Sequence, residues 1–301
     1  MYHSPACMAA AWSYCLCISQ SMAYKEINCL VYPPTTRRGF VMDITHGTSR
    51  EHPVVHHVSV TQPLFWLRQG LNDLRKAPAD AMFYGAAFVL MGYLLISYFD
   101  SAPQFVLTLS TLFLLGGPFL AIGLVDLARQ HEAVRAPQRV SLWHSMTAWK
   151  ANLPGFTLFA ALLAVLVFGW FRISLLLFAL FYDTAALPSL DELLANALLP
   201  ENMTFLLAYF GVGFLFAATV FALSVVAIPM LLDKEVDTVT AMVNSLQAVY
   251  KNLLTMTVWA VMIVALTAVG FATYFIGLIV IMPVLGLASW HAYRAMISYE
   301  S

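Results

Sequence analysis

Six long apolar runs alternate with shorter polar connections along this chain. A helix needs about 20 apolar residues to cross a hydrocarbon layer roughly 30 Å thick, and the runs are 17 to 30 residues long. The runs are continuous rather than alternating, which favours helices over half-buried strands. The pattern therefore predicts an all-α fold, a six-helix transmembrane bundle with spans at Ala81–Phe99, Gln104–Leu127, Leu153–Tyr182, Met203–Leu232, Leu254–Ala272 and Tyr274–Trp290.

The basic residues lie on one side of this map. Fourteen of the 15 lysines and arginines precede the first run, lie in the second or fourth connection, or follow the sixth run. Basic residues are retained on the cytoplasmic side of a bilayer, so both termini are expected in the cytoplasm. The chain has 61% apolar and 10% charged residues, so the lipid bilayer is its expected partner. It has no dense basic cluster, which argues against nucleic-acid binding.

The N-terminal region differs from the rest of the chain. Residues 1–62 are expected to form a cytoplasmic tail before a six-span membrane domain over residues 63–301. All four cysteines lie within residues 1–41, on the reducing side of the membrane, so no disulfide framework is expected. We expect either that translation begins at Met42 or that residues 1–41 form a disordered leader. A signal peptide is the alternative, although no basic region precedes Ala6–Ile18.

Each odd-numbered run follows a short amphipathic segment whose apolar residues recur at helical spacing. These residues are Leu64, Leu67, Leu71 and Leu74, then Leu142, Met146, Trp149 and Leu153, then Val236, Val239, Val243, Leu246, Tyr250 and Leu253. The last two segments also share four residues at an offset of 100: Ser145, Ala148, Asn152 and Leu153 match Ser245, Ala248, Asn252 and Leu253. The pattern predicts three tandem two-span units, each preceded by a cytoplasmic amphipathic helix, with coincidence as the alternative.

The third connection, Asp183–Asn202, is acidic and is predicted to carry a short helix on the outer surface. Pro188 and Ser189 followed by Glu192 resemble the start of a helix with a capping box. Apolar residues then recur at helical spacing until Pro200. Packing across the outer ends of the spans is its expected role.

Three charged residues are the candidate intramembrane polar groups. Arg172 is the basic residue inside an apolar run, about 28 Å along its helix from Leu153, so it is expected to reach the outer headgroups or to pair with Asp100 or Asp183. An anion or lipid-headgroup site at the outer mouth is the alternative.

Asp126 and Arg129 stand at i and i+3 near the inner end of the second run. They are expected to form a helix-surface pair. A proton-relay role for Asp126 is the alternative.

No catalytic residue, cofactor or metal site is predicted. None of the eight histidines lies deep within an apolar run, which argues against heme or copper in the bundle. The sequence contains no Walker loop, no G-x-S-x-G and no H-E-x-x-H motif. The adjacent pair His56–His57 is a poor metal site, since neighbouring rings diverge on a regular element.

Several stretches of this chain are similar to one family. They are QGLNDLRKAP, GGPFLAIGLVDLAR, RISLLLFALFYD, SVVAIPMLLDKEVDTVTAMVNSLQAV and VLGLASWHAYR, within residues 52–296. They resemble the DUF2189 family of predicted bacterial integral membrane proteins. The resemblance implies six spans, a bacterial inner-membrane location and no established biochemical activity. Some members are labelled as a cytochrome c oxidase subunit, although the histidine distribution here argues against direct oxidase chemistry.

Together, these features favour a non-enzymatic membrane factor that organises lipid or a partner complex, including self-association. A small transporter or channel with Arg172 and Asp126 on its path is the second hypothesis. An accessory subunit of a respiratory complex, without a heme of its own, is the third.

Overall fold

The computed structural model describes residues 52–101, 106–133, 140–181 and 203–300. These residues lie in one compact unit, Arg50–Ser301. The predictions for residues 1–41 and for the helix within Asp183–Asn202 lie outside the described residues. The elements, in chain order, are β1 His52–Val55, α1 Gln62–Lys76, α2 Pro78–Ser101, α3 Val106–Ala133, α4 Leu142–Thr147, a 3-10 helix Ala148–Asn152, α5 Leu153–Phe181, α6 Met203–Ser224, α7 Ala227–Asp233, α8 Thr238–Lys251, α9 Leu253–Ala272, α10 Leu278–Met296 and β2 Ile297–Glu300.

The described part of the chain is mostly helical, and five of its segments are long and apolar enough to cross a membrane. They are Pro78–Ser97, Leu142–Phe181, Met203–Asp233, Leu253–Ala272 and Leu278–Met296. The second predicted run overlaps α3, a helix of 28 residues, from Val106 to Leu127. Prediction and structure therefore agree on the helical class and on several membrane-spanning segments.

The fourth predicted span is interrupted. The helix ends at Ser224 and resumes at Ala227, two residues before Pro229. Proline has no N–H to donate to the residue four positions earlier, so the helix loses a hydrogen bond here. Ser245 of α8 occupies the break: its hydroxyl accepts from the N–H of Val226 at 3.1 Å and donates to the carbonyl of Ala222 at 2.7 Å. The interruption is thus stabilised by a side chain from another helix.

The connection between the last two predicted runs is longer than the sequence indicated, since it covers residues 273–277 rather than Thr273 alone. Tyr274 and Phe275, predicted as the start of the sixth run, have φ angles of 51° and 67°. Residues in this left-handed region cannot continue a right-handed helix. The helix therefore begins later, at Leu278, and runs to Met296.

Helix α10 forms the centre of the described bundle. It packs against α1, α2 and α3. Close approach to α1 depends on Gly70, since a Cβ there would lie 2.6 Å from the carbonyl oxygen of Val284 and 2.8 Å from the nitrogen of Ala288. Trp66, one turn earlier on α1, packs against Trp259 of α9. The two rings meet edge to face, with their centroids 5.8 Å apart.

Side-chain contacts bring the starts of α2, α5 and α9 to the same end of the bundle as the ends of α3, α7 and α10. Tyr84 in α2 is hydrogen-bonded to Ser145 in α4 at 2.7 Å. Asn152, at the start of α5, donates to the carbonyl of Leu231 in α7 at 3.2 Å. These connections form a polar layer that the apolar runs do not predict.

A two-stranded antiparallel sheet also lies at this end. Strand β1 pairs with β2 in the register His52 with Glu300 and Val55 with Ile297. The segment after β1 is held by Asn252, whose Oδ1 accepts from the N–H of Val58 at 2.8 Å. The sheet thus fixes residues 52–55 against the C-terminal end of the chain, and Asn252 fixes Val58.

Candidate functional site

Asp126 and Arg129 form a close ion pair in the last turns of α3. Oδ1 of Asp126 accepts from Nε of Arg129 at 3.0 Å and from Nη2 at 2.6 Å. Oδ2 accepts from Nε2 of Gln130 at 2.7 Å. The carboxylate is 0% exposed, so these donors replace the water it would otherwise bind.

Arg129 also links α3 to the end of α7. Its Nη1 donates to the carbonyl of Leu232 at 2.7 Å. The last carbonyls of a helix lack partners within the helix, and a cation there also interacts favourably with the helix dipole. The arrangement explains why an ion pair is buried here: one guanidinium neutralises Asp126 and caps α7.

A second polar cluster joins α1 to α10. Nε2 of His291 lies 2.7 Å from Oδ2 of Asp73, and Nζ of Lys76 donates to Oδ1 at 2.7 Å. Burial raises the pKa of Asp73, but the hydrogen bonds from His291 and Lys76 outweigh it, so the pKa lies below its usual value. The Asp73 carboxylate is therefore the stable form in the folded protein.

His131, at the end of α3, stands near this cluster. Burial lowers its pKa because the charged imidazolium loses hydration. Nearby Asp73 and Asp80 oppose that effect, while Lys76 and His291 reinforce it. The folded protein thus disfavours protonation of His131 relative to an exposed histidine.

Two further contacts complete the polar layer around α10. Nε1 of Trp290 donates to Glu132 at 2.6 Å, and Nη2 of Arg294 lies 3.0 Å from the same carboxylate. The hydroxyl of Tyr293 donates to Asp233 at 2.8 Å. Each contact joins α10 to a residue more than fifty positions earlier, so the layer is a tertiary structure rather than a helix-surface pattern.

Arg172 lies apart from these clusters. It is exposed on α5, 19 residues after Leu153 or about 28 Å along the axis. Within the described residues, no hydrogen bond or ion pair joins Arg172 to a partner. The side chains of Asp100 and Asp183, its two predicted partners, lie outside the description. The structure therefore brings Asp126 and Arg129 together and leaves Arg172 separate.

The Asp73 cluster is a site that the sequence analysis missed. Its local signal was the position of Asp73 on the same face of α1 as Trp66 and Gly70, and all three are buried. An acidic residue on a buried helix face requires a partner. The sequence alone did not identify that partner, because His291 lies 218 positions away.

The short helices present apolar residues outward. On α8, the predicted stripe contains Val239, Val243, Leu246 and Tyr250, all of which are exposed, Tyr250 at 83%. The opposite face buries small and polar residues, among them Ala241, Asn244, Ser245 and Ala248. The helix is therefore turned with its most apolar face away from the bundle.

Helices α1 and α4 show a similar arrangement. The structure divides the predicted stripe on α1: Leu64 and Leu71 are exposed, whereas Leu74 is buried and Leu67 is half-buried. Trp66, Gly70 and Asp73 are buried as well. On α4, Trp143 is 75% exposed and Ser145 is buried. Helices of 15, 6 and 14 residues are too short to cross a bilayer, so their outward apolar side chains are not explained by spanning it.

Across the ranges that the structure describes, no group of three or more histidine, cysteine, aspartate or glutamate residues has the arrangement of a metal site. The polar clusters hold their charged groups in ion pairs and backbone caps. Their role in the structure is to join helices.

Comparison with known proteins supports the membrane assignment. No curated protein and no solved structure matches this chain. The match with a family extends over the region that contains the Asp126–Arg129 pair, Arg172 and the break after Ser224. Residues 106–233 match the family described as a predicted integral membrane protein (DUF2189), which confirms over these residues the resemblance seen in the sequence. Together with the five described helices that are long and apolar enough to cross a bilayer, this match supports a multi-pass integral membrane protein.

Proposed function

We propose that this chain is a non-enzymatic membrane factor that organises the lipid beside it. The observation that carries the proposal is the outward apolar face of α1, α4 and α8, three helices too short to span a membrane. Amphipathic helices of this kind lie in the boundary between headgroups and acyl chains. A partner complex or self-association on the same faces is the alternative.

Continuity with a span supports lipid as the occupant. The stripe on α8 ends at Tyr250, and exposed apolar residues resume at Leu253 and Leu254, where α9 begins. Asn252, between the two helices, points into the bundle and is buried. The exposed apolar surface is therefore not interrupted by a polar side chain at this bend. A single apolar surface therefore runs from the short helix onto a membrane-spanning one, as an interface between headgroup layer and hydrocarbon requires.

The same proposal includes a six-span topology with both termini in the cytoplasm of a bacterial inner membrane. Its support is the meeting of the starts of α2, α5 and α9 with the ends of α3, α7 and α10. Within the described residues, Arg172 is the basic residue most distant along its helix from this end. Retention of basic residues on the cytoplasmic side would then place the short helices on the inner leaflet.

The proposed tandem units are supported by two asparagines with equivalent roles. Asn252 bonds the backbone of Val58, just before α1, and Nδ2 of Asn152 donates to the carbonyl of Val236, just before α8, at 3.2 Å. Each asparagine thus follows one short helix and holds the segment before another. A shared role for residues 100 positions apart favours repetition over coincidence.

A transporter or channel has weaker support. Asp126 is neutralised by Arg129 and lies at the end of α3, whereas Arg172 lies about 28 Å along α5 from the start of that helix. Transporters place their polar groups near the midplane, around a substrate site. The accessory respiratory subunit remains a form of the partner-complex alternative.

Native mass spectrometry of the full-length protein released from membranes would test the proposal. We expect phospholipid to remain bound after mild detergent extraction, and Val243→Ser/Leu246→Ser to reduce it. Leu175→Ser/Leu176→Ser, which changes two exposed residues on α5, is the matched control and should retain more lipid. A lipid-free monomer would contradict the proposal, and a protein bound in fixed ratio through α8 would favour the partner alternative.

A further inference from the structure

The outward face of α1 differs from that of α8 in charge. Leu64, Arg68, Leu71 and Arg75 follow one another at i, i+4, i+7 and i+11, so they form one stripe along the helix. All four are exposed, and Phe65 beside them is exposed as well. The stripe of α8 has valine, leucine and tyrosine at the corresponding places. Apolar and cationic side chains thus share one face of α1.

The positive charge of this face is not neutralised within the described ranges. Asp73, the acidic residue of α1, is buried on the opposite side and is bonded to Lys76 and His291. No described carboxylate or carbonyl pairs with Arg68 or Arg75. Arg129, by contrast, has the carboxylate of Asp126 within 2.6 Å.

We infer that the outward face of α1 binds the phosphate headgroups of anionic phospholipid in the leaflet beside it. The inference rests on the proposed function and names the class of lipid. Leucine and phenylalanine enter the acyl boundary, while the two guanidinium groups remain at headgroup level. A guanidinium offers parallel N–H donors that match phosphate oxygens, which makes arginine better suited than lysine to this contact.

Charge complementarity selects the anionic lipid over a zwitterionic one. A basic residue close to an anionic membrane surface contributes about fivefold to binding at ordinary ionic strength. Two such residues, seven positions or about 10 Å apart on one face, would contribute roughly 25-fold together. A zwitterionic headgroup carries a compensating cation and gains little from either arginine.

A lipid titration followed by native mass spectrometry tests this inference on the full-length protein. The probes are phosphatidylglycerol, phosphatidylcholine with the same acyl chains, and inorganic phosphate. We expect Arg68→Gln/Arg75→Gln to weaken phosphatidylglycerol binding about 25-fold and to leave phosphatidylcholine binding unchanged. Arg68→Lys/Arg75→Lys should retain most of the affinity. Lys150→Gln, which removes one exposed charge outside α1, should weaken phosphatidylglycerol binding by no more than about fivefold.

Several results would overturn the inference. They are equal affinity of the wild type for the two lipids, unchanged binding by the glutamine variant, and an equal loss in Lys150→Gln. Displacement of phosphatidylglycerol by inorganic phosphate would assign the site to a soluble anion instead. The two arginines are exposed, so the unfolding midpoint of the double variant without added lipid should equal that of the wild type. If it is lower, Arg68→Gln and Arg75→Gln are titrated separately instead. If only this inference is wrong, the wild type still retains phospholipid and Val243→Ser/Leu246→Ser still reduces it. If the proposed function is wrong, neither that retention nor a preference for phosphatidylglycerol is observed.

Discussion

Asn252 holds Val58 across 194 positions of the chain. Its Oδ1 accepts from the backbone N–H of Val58 at 2.8 Å, and its Nδ2 donates to the carbonyl of His56 at 2.9 Å. Both polar ends of the amide are used, and the side chain is buried. Lys251 and Thr255 on either side donate to the carbonyls of Val55 at 2.7 Å and Val58 at 3.2 Å. Asn252 is therefore the centre of a short segment that fixes the chain between β1 and α1 to the turn between α8 and α9.

Asn252→Ala should loosen the segment 56–58. A buried donor left without a partner costs about 1–3 kcal/mol, and this substitution leaves one donor and one acceptor. Hydrogen exchange of the detergent-solubilised protein should become faster there, while the centre of α10 remains protected. Asn152→Ala is the matched control, since its bonds hold Leu231 and Val236 and its effect should appear around those residues. Equal exchange at residues 56–58 in all three proteins would contradict this role.

His131 should make stability depend on pH in the mildly acidic range. Its pKa is lowered in the folded protein, so the unfolded chain binds the proton more readily. The contribution of His131 is therefore fully present above about pH 6.5, and it is lost as the pH falls below that value. The unfolding midpoint should decrease from pH 7 to pH 5, and less so in His131→Asn. A steeper decrease in the variant would show that another group dominates.

Gly70→Ala should destabilise the contact between α1 and α10. The new Cβ would meet backbone atoms of Val284 and Ala288, which cannot move without shifting the helix. Overpacking of this kind typically costs about 1–3 kcal/mol. Gly211→Ala is the control, because nothing lies within 4 Å of its Cβ position and alanine favours a helix by up to about 1 kcal/mol. The unfolding midpoint should fall in the first variant and hold or rise in the second.

Prediction from sequence succeeded where the physics is local. The length and apolar character of the runs require helices in a membrane, and the spacing of Val239, Val243 and Leu246 indicated an amphipathic segment. The pair Asp126–Arg129 followed from its i, i+3 spacing. Each of these inferences needs only neighbours along the chain.

The remaining features depend on contacts between distant segments. The break after Ser224 is stabilised by Ser245, and the buried charge of Asp73 is balanced by His291. The strands β1 and β2 are each four residues long and exist only as a pair. The apolar stripe on α8 was visible in the sequence, but the direction it faces depends on small residues that pack against α6 and α7. A single sequence does not show which distant residues contact each other in the fold.

Arg129 and Asp126 allow a test of whether this pair is structural. Arg129→Gln leaves the carboxylate of Asp126 buried without its cation and removes a donor from the carbonyl of Leu232. Breaking a buried ion pair by removing one partner typically costs about 3–5 kcal/mol. Adding Asp126→Asn removes the buried charge, so the double variant should be more stable than Arg129→Gln alone even though it carries one more substitution.

This reversal distinguishes a structural pair from a proton relay. If Asp126 took part in proton transfer, its carboxylate would need access to water and a pathway, and the wild-type ion pair would hinder both. A structural pair requires only that the two charges neutralise each other. The double variant should then lose less stability than the sum of the losses of the two single variants. Unfolding midpoints of the two single variants and the double variant, measured in one detergent, give that coupling. Strictly additive losses would mean that the carboxylate and the guanidinium act independently, and the relay hypothesis for Asp126 would regain its place.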